Sequence, residues 1–187
     1  MLILQTSFLL FLQYIQILHI QNHWVTVSNM KVPGDGYFTE CACIYDNLYH
    51  ASVAANTKVQ ICSFVRPKAV EMRFDLMNIQ PQDNLNDCGV YAIACATELT
   101  YGYDPCLAFF QPEAMRSHLT KCLESRTMLR FPLKKVRRVG FGKRVKQSVA
   151  ERIYCNCRMP NYDKSLPMVM CSICSQWFHE KCIDKKN

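Results

Sequence analysis

Six side chains able to bind a metal stand near the C-terminus in a fixed order: Cys155, Cys157, Cys171, Cys174, His179 and Cys182. One residue separates the first pair and thirteen lead on to Cys171; two then precede Cys174, four His179 and two Cys182. Close pairs offered from tight turns are what a tetrahedral site of thiolates and imidazole requires. A segment this short cannot bury a core, so bound metal must supply its folding free energy. Chance clustering in a cysteine-rich chain would not also place Trp177-Phe178 directly before the histidine. The spacing predicts at least one complete zinc site.

The other seven cysteines are scattered, several of them in apolar contexts such as those of Cys41, Cys43, Cys62 and Cys95. That distribution does not suit a secreted disulfide framework. Scattered buried thiols behave as small hydrophobes in a reducing compartment, so the chain reads as intracellular. The net charge of +7 is concentrated. Residues 1–133 hold nine Lys/Arg against eleven Asp/Glu, whereas residues 134–152 hold eight against one. The basic excess therefore belongs to one short segment rather than to a whole binding surface.

The first twenty residues are strongly apolar but lack a basic start and a small-residue cleavage site. Glutamines at 5, 13, 16 and 21 also interrupt any spanning helix, so no membrane partner is expected. Residues 14–20 read instead as a buried strand. Residues 23–28 alternate and are rich in Val, Thr and Trp, which suits a second strand. A turn at 32–36 and a strand over 37–49 would complete a hairpin. Residues 51–66 suit a short helix, and residues 70–76 alternate as a half-buried strand. After a polar turn, the alanine-rich stretch 88–99 fits a buried helix, and a further helix begins at Pro112. Strands followed by packed helices define an α+β unit. The run 134–152 has too little apolar content to pack and reads as a linker. Three segments result: an α+β domain over 1–133, a basic linker over 134–152 and a zinc-binding module over 153–187.

The ligand order resembles the PHD finger, a cross-braced module with eight ligands. The resemblance implies that Cys155, Cys157, His179 and Cys182 close one zinc site. Cys171 and Cys174 would begin a second site whose last two cysteines fall beyond Cys182, leaving that site incomplete. PHD fingers often bind histone tails, some by caging methylated lysine through cation–π and apolar contacts. The corresponding cage positions are Tyr154, Met168 and Trp177. Trp177 also packs as core in many fingers, and Tyr154 and Met168 are common residue types.

A second constellation surrounds Asp87-Cys88-Gly89. A cysteine in the first turn of a helix is well placed for nucleophilic chemistry, because the helix dipole stabilises thiolate. Upstream lie His23 and Asp46, the remaining members of a Cys–His–Asp triad. His23 would take the thiol proton and Asp46 would fix the imidazole tautomer, while Gly89 would admit a substrate backbone. Each residue also has a plain structural reading, as strand histidine, turn aspartate or buried thiol.

Taken in order, these elements resemble the Ulp/SENP family of ubiquitin-like-protein-specific cysteine proteases, especially the type found in transposon-derived reading frames. The resemblance spans roughly residues 14–133. It is carried by His23-Trp24, Asp46, Gln82 six residues before the nucleophile, and Asp87-Cys88-Gly89, with Met115-Arg116-Ser117-His118-Leu119 and Phe131-Pro132 closing the domain. It implies a papain-like α+β core, here lacking the family's N-terminal helices. It also implies an oxyanion-hole amide at Gln82 and an aromatic, Trp24, beside the substrate tail. The implied activity is cleavage after the C-terminal glycine of a ubiquitin-like modifier, or of a polyprotein. The alternative is a catalytically inactive or truncated relative that acts as a zinc-dependent chromatin and histone-binding module. A nuclear location is expected. The basic run could serve as a localisation signal, touch nucleic-acid phosphates, or be a solvated linker.

Overall fold

The first described motif is a two-stranded hairpin of β1 (Ile15–Ile20) and β2 (His23–Ser28). In this computed structural model, residues 13–30, 40–48, 52–135, 144–161 and 167–183 are described. Gln21 and Asn22 turn the hairpin with φ of 49° and 64°, as a two-residue loop of this hand demands. The turn expected at 32–36 and the apolar start, residues 1–12, lie outside the described residues. Strand β3 (Cys41–Tyr45) is shorter than the strand expected over 37–49: residues 46–48 have already left it, and 37–39 and 49 lie outside the described residues. It pairs antiparallel with β2, with Thr26 opposite Tyr45 and Ser28 opposite Cys43.

Helix α1 (Ala55–Val65) then crosses over to β4 (Glu71–Met77), which runs parallel to β3. Helix α2 (Cys88–Thr100) and helix α3 (Pro112–Ser125) follow, close to where the sequence placed them. The sheet continues through β5 (Val145–Tyr154) and the short β6 (Met159–Pro160), in the order β1-β2-β3-β4-β5-β6. A second, two-stranded sheet joins β7 (Met168–Met170) to β8 (Trp177–His179), and α4 (Glu180–Ile183) ends the described chain. The architecture is mixed α+β. No helix among the described residues is long and apolar enough to cross a membrane.

Two apolar clusters cover the large sheet. One gathers Val25, Val27, Ala42, Ile44, Phe74 and Ile153 with Ile61 and Cys62 of α1. The other gathers Tyr45 and Met77 with Tyr91, Ala94 and Cys95 of α2, together with Phe110, Met115 and Phe131. Small residues let α2 lie close on β2. Ala92 and Ala94 are fully buried, and the Thr26 hydroxyl donates to the Ala92 carbonyl at 2.6 Å. Each fully buried large side chain contributes ~1.5–3 kcal/mol of transfer free energy. One buried charge is balanced within the second layer. Glu98, 1% exposed, accepts two hydrogen bonds from the Arg130 guanidinium, at 3.0 and 2.7 Å.

The basic segment departs from its reading as an unpacked linker. Its first two residues precede 136–143, which lie outside the described residues, but from Val145 it forms the longest strand of the sheet. β5 runs antiparallel to β4, pairing Glu71 with Arg152 and Leu76 with Gln147. Low apolar content did not prevent this, because ladder formation uses backbone groups and only one face needs cover. Val145, Gln147, Val149, Glu151 and Ile153 form the more protected face, and Ile153 is buried. The period-2 alternation was present in the sequence beneath the charge.

Candidate active site and metal centre

Antiparallel pairing of β2 with β3 sets His23, the first residue of β2, beside Asp46, which follows the last residue of β3. The His23 Nε2 lies 2.7 Å from Asp46 Oδ1, with both side chains only 12% and 11% exposed. Asp46 Oδ1 also accepts from the Leu48 backbone N–H at 2.9 Å, so the carboxylate is fixed before it meets the ring. Binding through Nε2 leaves Nδ1 as the ring nitrogen that can serve another group. The Cys88 thiol is a further hydrogen-bond partner of the His23 ring.

Cys88 is the first residue of α2 and is 8% exposed. Burial alone would raise its pKa. The backbone N–H of Trp24, the His23 imidazole and the Gly89 N–H outweigh burial and hold the thiol below its ordinary value. His23 moves the other way. Burial would lower its pKa, but the Asp46 hydrogen bond and charge, with Cys88 adding to them, raise it. Opposite shifts on adjacent groups favour a thiolate beside an imidazolium, the reactive form of a cysteine nucleophile.

Trp24 is 41% exposed, with its indole over the first turn of α2. A Cβ at Gly89 would sit 3.5 Å from Trp24 Cδ1, an ordinary contact, so the indole does not itself demand glycine there. Trp24 also leans on His19, with ring centroids 4.5 Å apart. Gln82 is buried on the approach to α2, and its backbone N–H donates to the Asn47 carbonyl at 2.9 Å. One N–H of its side-chain amide donates to the Asn84 carbonyl, and its Oε1 is buried without a hydrogen-bond partner. His118, outside this cluster, bonds the Leu129 carbonyl at 3.1 Å and packs on Phe131.

Sequence reasoning missed the groups that hold this site together. Asn47, 2% exposed, donates from its side chain to the Gln80 carbonyl at 2.6 Å. Asp87 is held by Asn84 Nδ2 at 2.6 Å and by Arg116 Nε at 2.7 Å. An Asx turn was legible in Asn84-Leu85-Asn86, whereas the partnership of Asp87 with a residue on α3 had no local signal.

At the other end of β5, Cys155, Cys157, His179 and Cys182 converge. Their ligand atoms all lie within 4.8 Å of one another, a group that could hold a metal ion. Residues 155–158 form a turn in which Cys155 and Arg158 take φ of 61° and 60°. The Cys157 sulfur lies 3.3 Å from His179 Nδ1, and His179 Nε2 is buried without a hydrogen-bond partner. Burial keeps His179 below the usual imidazole range, favouring the neutral ring a metal binds. Cys171 and Cys174 form a separate knuckle. Its backbone closes through the Cys171 N–H to Gln176 at 2.9 Å and the Ser175 N–H to Cys171 at 2.9 Å. N–H groups of Cys174 and Ile173 aimed at the Cys171 sulfur lower that thiol's pKa.

Tyr154 ends β5, Met168 opens β7 and Trp177 opens β8. Tyr154 meets the His179 ring edge-on at 6.3 Å, and Trp177 is 43% exposed opposite Met170. A third group, Cys41, Cys43 and Asp75, also brings ligand-type atoms within 4.8 Å. Its carboxylate is already engaged by Arg73 at 2.7 Å, Ser148 at 2.6 Å and the Cys41 thiol at 3.2 Å. Cys41 and Cys43 thus belong to a polar cluster, not only to apolar packing.

No protein-family profile matches the chain, and no curated protein or solved structure matches it.

Proposed function

We propose that the chain is a cysteine peptidase of the ubiquitin-like-protein-specific class, with a papain-like core and a zinc-binding PHD-type module. The observation that carries this reading is the linked set of Cys88 at a helix start, His23 hydrogen-bonded to it, and Asp46 2.7 Å from Nε2 of the same ring. In the proposed reaction His23 accepts the Cys88 proton and the sulfur attacks the carbonyl carbon of the modifier's terminal glycine. The free N–H of the Gln82 amide donates to the developing oxyanion. His23 then protonates the leaving amine, and water releases the acyl group from Cys88. Asp46 keeps the imidazole oriented throughout. Trp24, exposed beside the first turn of α2, suits a wall for an extended glycine tail.

Three thiolates and one neutral imidazole make a donor set that fits zinc, and Cys155, Cys157, His179 and Cys182 would hold it. Bound zinc would supply folding free energy to this small module rather than take part in the peptidase chemistry. Tyr154, Met168 and Trp177 would be the residues facing a methylated lysine on a histone tail, in keeping with a nuclear location. The peptidase reading is tested with precursors of ubiquitin-like modifiers that extend beyond the terminal glycine. Cleavage after that glycine, lost in Cys88→Ala and His23→Ala, supports it; an unsubstituted, folded chain that cleaves none of a full set of modifiers contradicts it.

A further inference from the structure

Gln82 is tied to helix α3 through a relay of side-chain and backbone hydrogen bonds. Arg116, near the start of α3, donates from Nε to Asp87 Oδ1 at 2.7 Å and from Nη2 to the Asn86 carbonyl at 3.1 Å. The other oxygen of Asp87 accepts from Asn84 Nδ2 at 2.6 Å. Asn84 Oδ1 accepts from the Asn86 N–H at 2.8 Å, closing the turn, and the Asn84 carbonyl accepts from the Gln82 amide. The relay therefore starts on an exposed arginine and ends on a buried amide in the stretch that leads to Cys88.

The end of the relay matters because Gln82 is under-determined without it. Its Oε1 has no partner to hold the amide plane, so the bond to Asn84 is the side-chain contact that sets which way the NH2 group points. That bond occupies one N–H and leaves the second available. A donor aimed at an oxyanion works only if it is oriented before charge develops.

We propose that Arg116 is a positioning residue for the oxyanion donor, acting through Asp87 and Asn84 on the Gln82 amide. The inference rests on the peptidase reading above and adds to it a distinction between two properties of Cys88. Thiolate formation depends on His23, Trp24 N–H and Gly89 N–H, none of which belongs to the relay. Acyl transfer depends in addition on the oxyanion donor. Loss of Arg116 should therefore slow acylation and leave alkylation unchanged.

The experiment compares two reactions at Cys88 in the full chain, each read by mass spectrometry of the peptide containing it. Iodoacetamide forms a C–S bond with loss of iodide and passes through no oxyanion. The p-nitrophenyl ester of acetyl-Gly-Gly forms a thioester as the sulfur attacks the carbonyl and p-nitrophenolate leaves. A Cys88→Ser chain gives the background from other thiols. Removing an oxyanion donor outright costs about 10²–10³ in rate, and loosening one should cost about tenfold. Arg116→Gln and Asn84→Ala are each expected to slow acylation by about tenfold, with alkylation rate and its pH profile unchanged. The double variant should be no slower than either single one, because the two act in series. Arg116→Lys, which keeps the charge but not the two-point contact, should recover part of the rate. Unchanged acylation, or equal loss of both reactions, overturns the positioning role alone. Failure of the unsubstituted chain to acylate Cys88 overturns the role together with the peptidase reading.

Discussion

Replacing Asp46 by asparagine keeps the shape of the site and removes one charge. The lost interaction is a hydrogen bond at 2.7 Å between groups only 12% and 11% exposed, so solvent screens it weakly. A hydrogen bond to a charged group in such a setting is worth about 1.5–3 kcal/mol net. The imidazolium of His23 should lose stabilisation of that order. In the unsubstituted chain His23 titrates above its ordinary value of 6.5 and Cys88 below its ordinary value of 9.0. Asp46→Asn lets the imidazolium lose its proton at lower pH, so the thiolate loses its cationic neighbour and Cys88 titrates higher. The assay follows the His23 ring proton by NMR and Cys88 alkylation by iodoacetamide, both across pH 5–10. Expected are a downward shift for His23 and an upward shift for Cys88. Alkylation near pH 7 should fall by about tenfold as a consequence. If Asp46→Asn leaves both titrations in place, the three residues do not form one electrostatic unit.

Metal removal should be felt along β5. Ile153, two residues before Cys155, is buried in the sheet's core and donates to Val70 at 2.8 Å, while Arg158 donates to the carbonyls of Pro67 and Ala69. Chelation of bound zinc should therefore speed hydrogen exchange at the Ile153 amide as well as in the finger; unchanged protection there would contradict the coupling. Arg130→Ala leaves the Glu98 carboxylate buried and unpaired, and should destabilise the chain by about 3–5 kcal/mol in urea unfolding, whereas Arg130→Lys should cost less. A change under ~1 kcal/mol would mean that water or another group satisfies Glu98. Trp177→Ala should abolish binding of a trimethyl-lysine peptide in calorimetry without changing the zinc content. Undiminished peptide binding would remove Trp177 from the cage.

What could be read from the sequence was what is local. The metal ligands were legible because two- and four-residue spacings are set by turn geometry, and the same turns appear at residues 155–158 and 172–174. Helix α2 announced itself through its run of small apolar residues, and Cys88 at its start followed from the polar turn before it. β5 was hidden because charge dominates its composition, while its alternation belongs to a pairing with β4. Residues that stabilise the site through distant partners were not legible at all. Arg116 meets Asp87 across 29 positions, and Cys43 meets Asp75 only through the parallel register of β3 with β4. Such contacts are products of topology, and a single sequence carries no local trace of them.

The central claim is that Cys88 is a nucleophile for the C-terminal carbonyl region of a ubiquitin-like modifier. Its most direct measurement is the intact mass of the folded chain after exposure to ubiquitin-like modifiers ending in a vinyl sulfone. The expected result is a single added modifier, located at Cys88 and lost in both Cys88→Ser and His23→Ala. An adduct spread over other cysteines, or none on a chain shown to be folded, would contradict the claim.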